Sequence, residues 1–119
     1  MTIRTTAFAA LIATSSIDAA AGDIAGRYRA ECTLPGGSPC SPATAEIEMT
    51  SERTCRIKWS SGEGGVCILD GTKFSAAYII HGKSGLGVYD ITPDGSIEGV
   101  FIDDVHGIGF GKEKLTPIR

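Results

Sequence analysis

Beyond Gly22 the sequence has no apolar repeat of helical period, no basic cluster, no cysteines paired as Cys-x-x-Cys and no long apolar run. Each absence excludes something. A helix that crosses a bilayer needs ~20 consecutive apolar residues, so no membrane span is expected. With 11 basic against 14 acidic residues and a formal net charge of −3, the chain offers no electrostatic footprint for nucleic acid or an anionic membrane surface. The four cysteines stand eight, fifteen and twelve residues apart, without the close pair that structural zinc sites and dithiol redox centres use. No serine or cysteine nucleophile motif accompanies His81 and His106, the chain's two histidines, so no constellation for covalent or acid–base catalysis is visible. A non-enzymatic protein without metal or cofactor is expected.

Three further signals read as structure rather than chemistry. Ala77–Ser84 superficially follows a phosphate-binding loop, but Ala77 stands where the first glycine belongs and no strand–helix context surrounds it. His106 lies close to Asp103 and Asp104, yet a loop histidine beside carboxylates is more often a solvated turn than a metal site. Glu46 and Glu48 alternate with Ile47 and so belong to a solvated strand face rather than to an acid–base pair.

What is present begins with an export signal. Arg4, the apolar stretch Ala7–Ala13 and the small residues Ala19–Ala21 before Gly22 have the order of a signal peptide over 1–21. The remainder, 22–119, has the length of one domain, expected to be periplasmic or secreted. It reads as short alternating segments separated by turn signals at the spacing of all-β folds. In Cys55–Cys67, Ile57 and Trp59 alternate with Arg56 and Lys58, a glycine-rich turn follows, and Val66–Leu69 is an apolar return strand. Folding about Ser61 sets Ile57 opposite Gly65 and Cys55 opposite Cys67. Further segments run over Gly26–Thr33, Ala43–Thr50, Lys73–Ile80, Leu86–Ile91, Ile97–Ile102 and Ile108–Thr116. His81–Gly85 reads as a loop, and Thr92-Pro-Asp-Gly95 as a turn in which proline presets φ and glycine accepts a positive one.

About eight antiparallel strands joined by tight connections form an up-and-down meander. Its two solutions are a small closed barrel of the lipocalin or calycin type and a two-sheet sandwich. The 16 glycines suit the sharp bends of a barrel. Cys32 and Cys40 are symmetric about Gly36, as Cys55 and Cys67 are about Ser61, so hairpin geometry favours the disulfides Cys32–Cys40 and Cys55–Cys67.

Trp59, the lone tryptophan, reads either as a core plug beneath its turn or as a wall of a ligand pocket shared with Tyr78 and Tyr89. Val100 and Ile102 alternate with Ile97, Gly99 and Phe101. If they face outward they are contact residues for a protein partner or for a second copy in a homodimer.

Gly26-x-Tyr28, Pro35-Gly-Gly-Ser38, Ile57-Lys-Trp59 with its glycine-rich turn, Asp94-Gly-Ser-Ile-Glu-Gly99 and Gly111-Lys-Glu-Lys-Leu-Thr-Pro117 form a pattern across nearly all of 22–119. Together they resemble a family of small exported proteobacterial β-rich proteins of unknown function, sometimes labelled fibronectin-binding. That label implies adhesion. The family pattern usually has glycine or tyrosine at the four cysteine positions, and this chain departs from it at both proposed pairs together. Ser84-Gly-Leu-Gly-Val-Tyr89 is similar to the serine-glycine loop of periplasmic lysozyme inhibitors, one residue short before its tyrosine and without their tyrosine-tryptophan-lysine-glycine element. Ile97-Glu-Gly-Val-Phe101 with His106-Gly-Ile-Gly109 is similar to a single membrane-occupation repeat, but one copy cannot build a solenoid.

The functional expectation is an exported binding protein, holding a small apolar ligand inside the barrel or a protein on its loops and outer face. The alternative is an inhibitor of a secreted hydrolase such as lysozyme, acting through His81, Ser84 and Tyr89.

Overall fold

In a computed structural model the described residues are 24–119, and every regular element among them is a strand. The signal-peptide expectation for 1–21 lies outside the described residues. The strands are β1 (Gly26–Thr33), β2 (Ala43–Met49), β3 (Thr54–Trp59), β4 (Gly64–Asp70), β5 (Lys73–Ile80), β6 (Lys83–Ile91), β7 (Ile97–Asp103) and β8 (Gly111–Pro117). Each pairs antiparallel with the next. β8 returns to β1 from Tyr28↔Pro117 to Thr33↔Lys112, which closes the barrel and leaves no free sheet edge. That closing ladder decides between barrel and sandwich. The central hairpin keeps the expected register, with Ile57 opposite Gly65 and Cys55 opposite Cys67.

Alternation along each strand sends one set of side chains inward. Ile47, Ile57, Leu69, Phe74, Ile97 and Leu115 are each at most 2% exposed and fill the interior away from the open end. Burying a side chain of this kind is worth about 1.5–3 kcal/mol. Phe74 and Tyr89 meet edge to face at 5.6 Å. Tyr28 donates its hydroxyl proton to the Ile24 carbonyl at 2.5 Å, which draws the segment before β1 against the core.

Three boundaries differ from the sequence expectation by two residues or more. The loop over His81–Gly85 contracts to a two-residue turn, because Ile80 pairs with Lys83 and β6 begins there. His81 and Gly82 both adopt positive φ, 49° and 76°, as the tight hairpin turn that matches strand twist requires. β4 starts two residues early, at Gly64 rather than Val66. β8 starts late, at Gly111 rather than Ile108. Gly107 and Gly109 have φ of 94° and 97°, which breaks the extended backbone and leaves Ile108 fully exposed.

The turn Thr92-Pro-Asp-Gly95 forms as its residues dictate. The Asp94 carboxylate accepts hydrogen bonds from the Thr92 hydroxyl and the Ser96 amide, and Gly95 takes φ of 89°. These hydrogen bonds, led by that from Thr92, hold the Asp94 carboxyl at a pKa of about 2.

Candidate functional site

In an up-and-down barrel, β1, β3, β5 and β7 all finish at the same rim. That rim opens into a cavity of ≈ 380 Å³. Its walls come from inward positions near those ends: Ala30, Trp59, Tyr78, Ile80, Phe101 and, on β8, Glu113. The mouth is edged by Cys32 and Cys40, by Ser61 and Glu63 of the β3–β4 turn, by His81, and by Asp103 and His106.

Trp59 and Tyr78 are 5% and 8% exposed and pack edge to face, centroids 5.3 Å apart. A β-carbon on Gly85, the cross-strand partner of Tyr78, would lie 2.2 Å from the Tyr78 ring, so the missing side chain is what lets the ring lie flat on the wall. The Tyr78 hydroxyl reaches the Ile102 carbonyl at 3.4 Å. Tyr89 lies below the cavity and does not line it, yet it joins the site through a hydrogen bond.

That bond runs to Glu113. Tyr89 Oη donates to Glu113 Oε1 at 2.7 Å, and Trp59 Nε1 donates to Oε2 at 3.2 Å. The carboxyl group thus sits in the cavity wall, held by two aromatic donors. Burial raises its pKa above the usual 4.5; the hydrogen bonds from Tyr89 and Trp59 oppose that rise, and the charge of Glu63 adds to it. Burial likewise pushes the Tyr78 hydroxyl up, and the charges of Asp103, Glu113 and Glu63 push it further. Tyr89 rises for similar reasons, burial first and Glu113 next.

At the mouth, Asp103 holds its turn. Its carboxylate accepts hydrogen bonds from the Val105 and His106 amides, both at 2.9 Å, and meets His106 Nδ1 at 3.0 Å. The side chain is 2% exposed. Burial acts to raise its pKa, but the hydrogen bonds from the His106 ring and the two amides together outweigh it, and the carboxyl titrates below its usual range. Among the described residues no group of three His, Cys, Asp or Glu could hold a metal ion.

Glu113 was not among the expected site residues, although a signal for it existed. Gly111, Glu113 and Leu115 share one strand face, and Leu115 is fully buried, so period two places an acid in the interior.

A stability test follows from the raised pKa. A carboxyl whose folded pKa lies above its unfolded value contributes stability that is present below the unfolded value and lost as pH rises through the folded one. Glu113→Gln keeps an acceptor for Trp59 and carries no charge to desolvate. The stability of E113Q minus that of wild type, from urea denaturation, should therefore increase between about pH 4 and pH 7. A flat difference would show that the carboxyl titrates normally.

The other expected residues are dispersed. His81 is exposed on the rim. Ser84 is not in a loop; it lies exposed within β6, because the turn before it is so short. Val100 is half-buried and Ile102 is 51% exposed, both on the outer wall. There Ile102 continues a cross-strand row, Val66–Ala77–Leu86–Ile102, flanked by exposed Ile68, Ile79 and Val88. The four cysteines stand in the two expected pairs at disulfide distance, Cα atoms 5.2 Å apart for Cys32 and Cys40 and 4.9 Å for Cys55 and Cys67.

No protein-family model and no curated protein matches the chain. Among solved structures it is similar to a redesigned β-barrel, b11L5F_LGL, with a TM-score of 0.70 at 13% identity, covering 84% of this chain and 96% of that one. It is similar to EF1p2_mFAP2b bound to DFHBI, with a TM-score of 0.64 at 13% identity, covering 86% and 99%. The wild-type fluorescent protein UnaG gives a TM-score of 0.52 at 12% identity, covering 82% and 98%. The likeness is one of fold. It places this chain among small closed β-barrels, one of the two architectures expected from the sequence.

Proposed function

We propose that the protein is a non-enzymatic binding barrel that takes a small, largely apolar ligand through its open end. The observation that carries this reading is the cavity of ≈ 380 Å³ at the rim, walled by Trp59, Tyr78, Ile80 and Phe101 with the Glu113 carboxyl group set among them. Its volume falls within the roughly 300–1,000 Å³ of small-molecule sites, and the mix of aromatic wall and few polar groups is the usual composition of such sites. A barrel of similar fold holds the small molecule DFHBI, which supports the reading by analogy. Export to the periplasm or beyond belongs to the same proposal: two cysteine pairs at disulfide distance suit an oxidising compartment.

Trp59 supplies the test. Titration with the neutral apolar probe N-phenyl-1-naphthylamine should give saturable, one-to-one energy transfer from Trp59. Dependence that stays linear in probe concentration, with no saturation, would remove the ligand-binding reading. Nothing favours the hydrolase-inhibitor reading over it, since Ser84 lies within a strand on the outer wall rather than at a loop tip. The outer apolar row likewise has no feature that specifies an occupant.

A further inference from the structure

We infer that the pocket selects an amphiphilic cation: an apolar body carrying a protonated amine, with the amine directed at Glu113. This rests on reading the cavity as a ligand site and goes further by assigning the ligand's charge.

Glu63, Asp103 and Glu113 all line the cavity, and no lysine or arginine does. The neighbouring lysines of β8, Lys112 and Lys114, are exposed on its opposite face, so alternation keeps their charge outside. A ligand ending in a carboxylate, sulfate or phosphate would meet three acids and, apart from His81 and His106 at the mouth, no basic side chain. Burying a charge in such surroundings is costly. A ligand cation meets the reverse.

Hydrogen-bond inventory points the same way. An ionised carboxylate only accepts, with room for about two hydrogen bonds on each oxygen. Glu113 Oε1 takes one from Tyr89 and Oε2 one from Trp59, which leaves acceptor capacity on both oxygens. An ammonium group brings three donors and no acceptor, the complement of what remains. Trp59 and Tyr78 line the same space, and aromatic rings attract a cation placed over their faces. The negative field is strong enough to act on a neighbour within the pocket: Asp103, Glu113 and Glu63 each add to the rise that burial imposes on the Tyr78 hydroxyl. An organic cation fits better than a metal ion, since no three ligating side chains converge among the described residues.

A matched series separates the ligand's charge from its apolar body. 4-Phenylbutylamine, 4-phenylbutanol and 4-phenylbutanoate share one apolar frame and differ at the end group. Each is titrated into the full-length protein by calorimetry, with Trp59 emission as a second readout. The amine should bind about tenfold more tightly than the alcohol, and the carboxylate more weakly than either. In E113Q the amine-to-alcohol ratio should fall to within about threefold. Glu63→Gln, in the β3–β4 turn, should lower the same ratio by a smaller factor and serves if E113Q does not fold. If the alcohol or the carboxylate binds as tightly as the amine, the charge assignment is overturned and the pocket reading stands. If none of the three binds, and N-phenyl-1-naphthylamine does not either, both are overturned.

Discussion

Gly65→Ala is expected to destabilise the barrel by about 3 kcal/mol or more, lowering the thermal midpoint by more than about 12 °C. A β-carbon at this position would lie 1.9 Å from the Ala77 carbonyl oxygen and 2.7 Å from the Tyr78 Cα. Both obstacles are backbone of β5, so no rotamer change relieves the collision. The β4–β5 ladder would have to open at the residue that supports Tyr78. Gly99 is in the same situation on β7, where a β-carbon would stand 2.1 Å from the Val88 carbonyl oxygen and 2.6 Å from the Tyr89 Cα. Gly99→Ala should therefore cost a similar amount. Gly36→Ala is the control: nothing lies within 4 Å of its β-carbon and its backbone is not left-handed. It should change stability by less than about 0.5 kcal/mol. Thermal and urea denaturation of the three variants checks the ordering. Equal effects at Gly36 and Gly65 would mean that close strand approach is not what these glycines provide.

The second large effect is expected from the cysteines. The double variant C55A/C67A should lose about 3 kcal/mol or more: roughly this much from releasing the loop in the unfolded chain, and a further amount from lost packing. Cys55 and Cys67 face into the barrel at 2% and 5% exposure, so alanine leaves space that the rigid wall cannot collapse into. C32A/C40A should cost less, about 2 kcal/mol, because these residues are only half-buried and the segment between β1 and β2 keeps its own bonds. Leu34 N still donates to the Ser38 carbonyl at 2.8 Å, and Cys40 N to the Cys32 carbonyl at 2.9 Å. Its effect should appear at the pocket, since Cys32 and Cys40 edge the cavity mouth. Urea denaturation of both double variants, followed by N-phenyl-1-naphthylamine titration, should show the larger stability loss in C55A/C67A and the larger relative loss of binding in C32A/C40A. The reverse assignment would mean that the mouth, not the interior, anchors the fold.

Much of the fold is legible residue by residue. Phe74, Ala76, Tyr78 and Ile80 alternate in the sequence, and all four are buried. The symmetry of Cys55 and Cys67 about Ser61 places Ile57 opposite Gly65, as the ladder does. Local backbone chemistry is sufficient for such pairs because a tight turn fixes the register of both strands it joins. The same logic misplaced the start of β8. Whether a glycine within a strand-like run bends the chain or continues it depends on the neighbouring strand, and Gly107 and Gly109 bend it. The site was less legible than the fold. Trp59 and Tyr78 come together as aromatic walls, whereas Tyr89 contributes from below by holding Glu113.

By itself the sequence determined the strand count, the inward and outward faces and both cysteine pairs, because alternation and hairpin symmetry act between residues close along the chain. Only the tertiary structure decided that the sheet closes, since the β1–β8 ladder joins residues from opposite ends of the domain. Closure is also what creates the site. Glu113 on the last strand reaches Trp59 on the third and Tyr89 on the sixth across the barrel interior, contacts separated by 54 and 24 positions that no local pattern encodes.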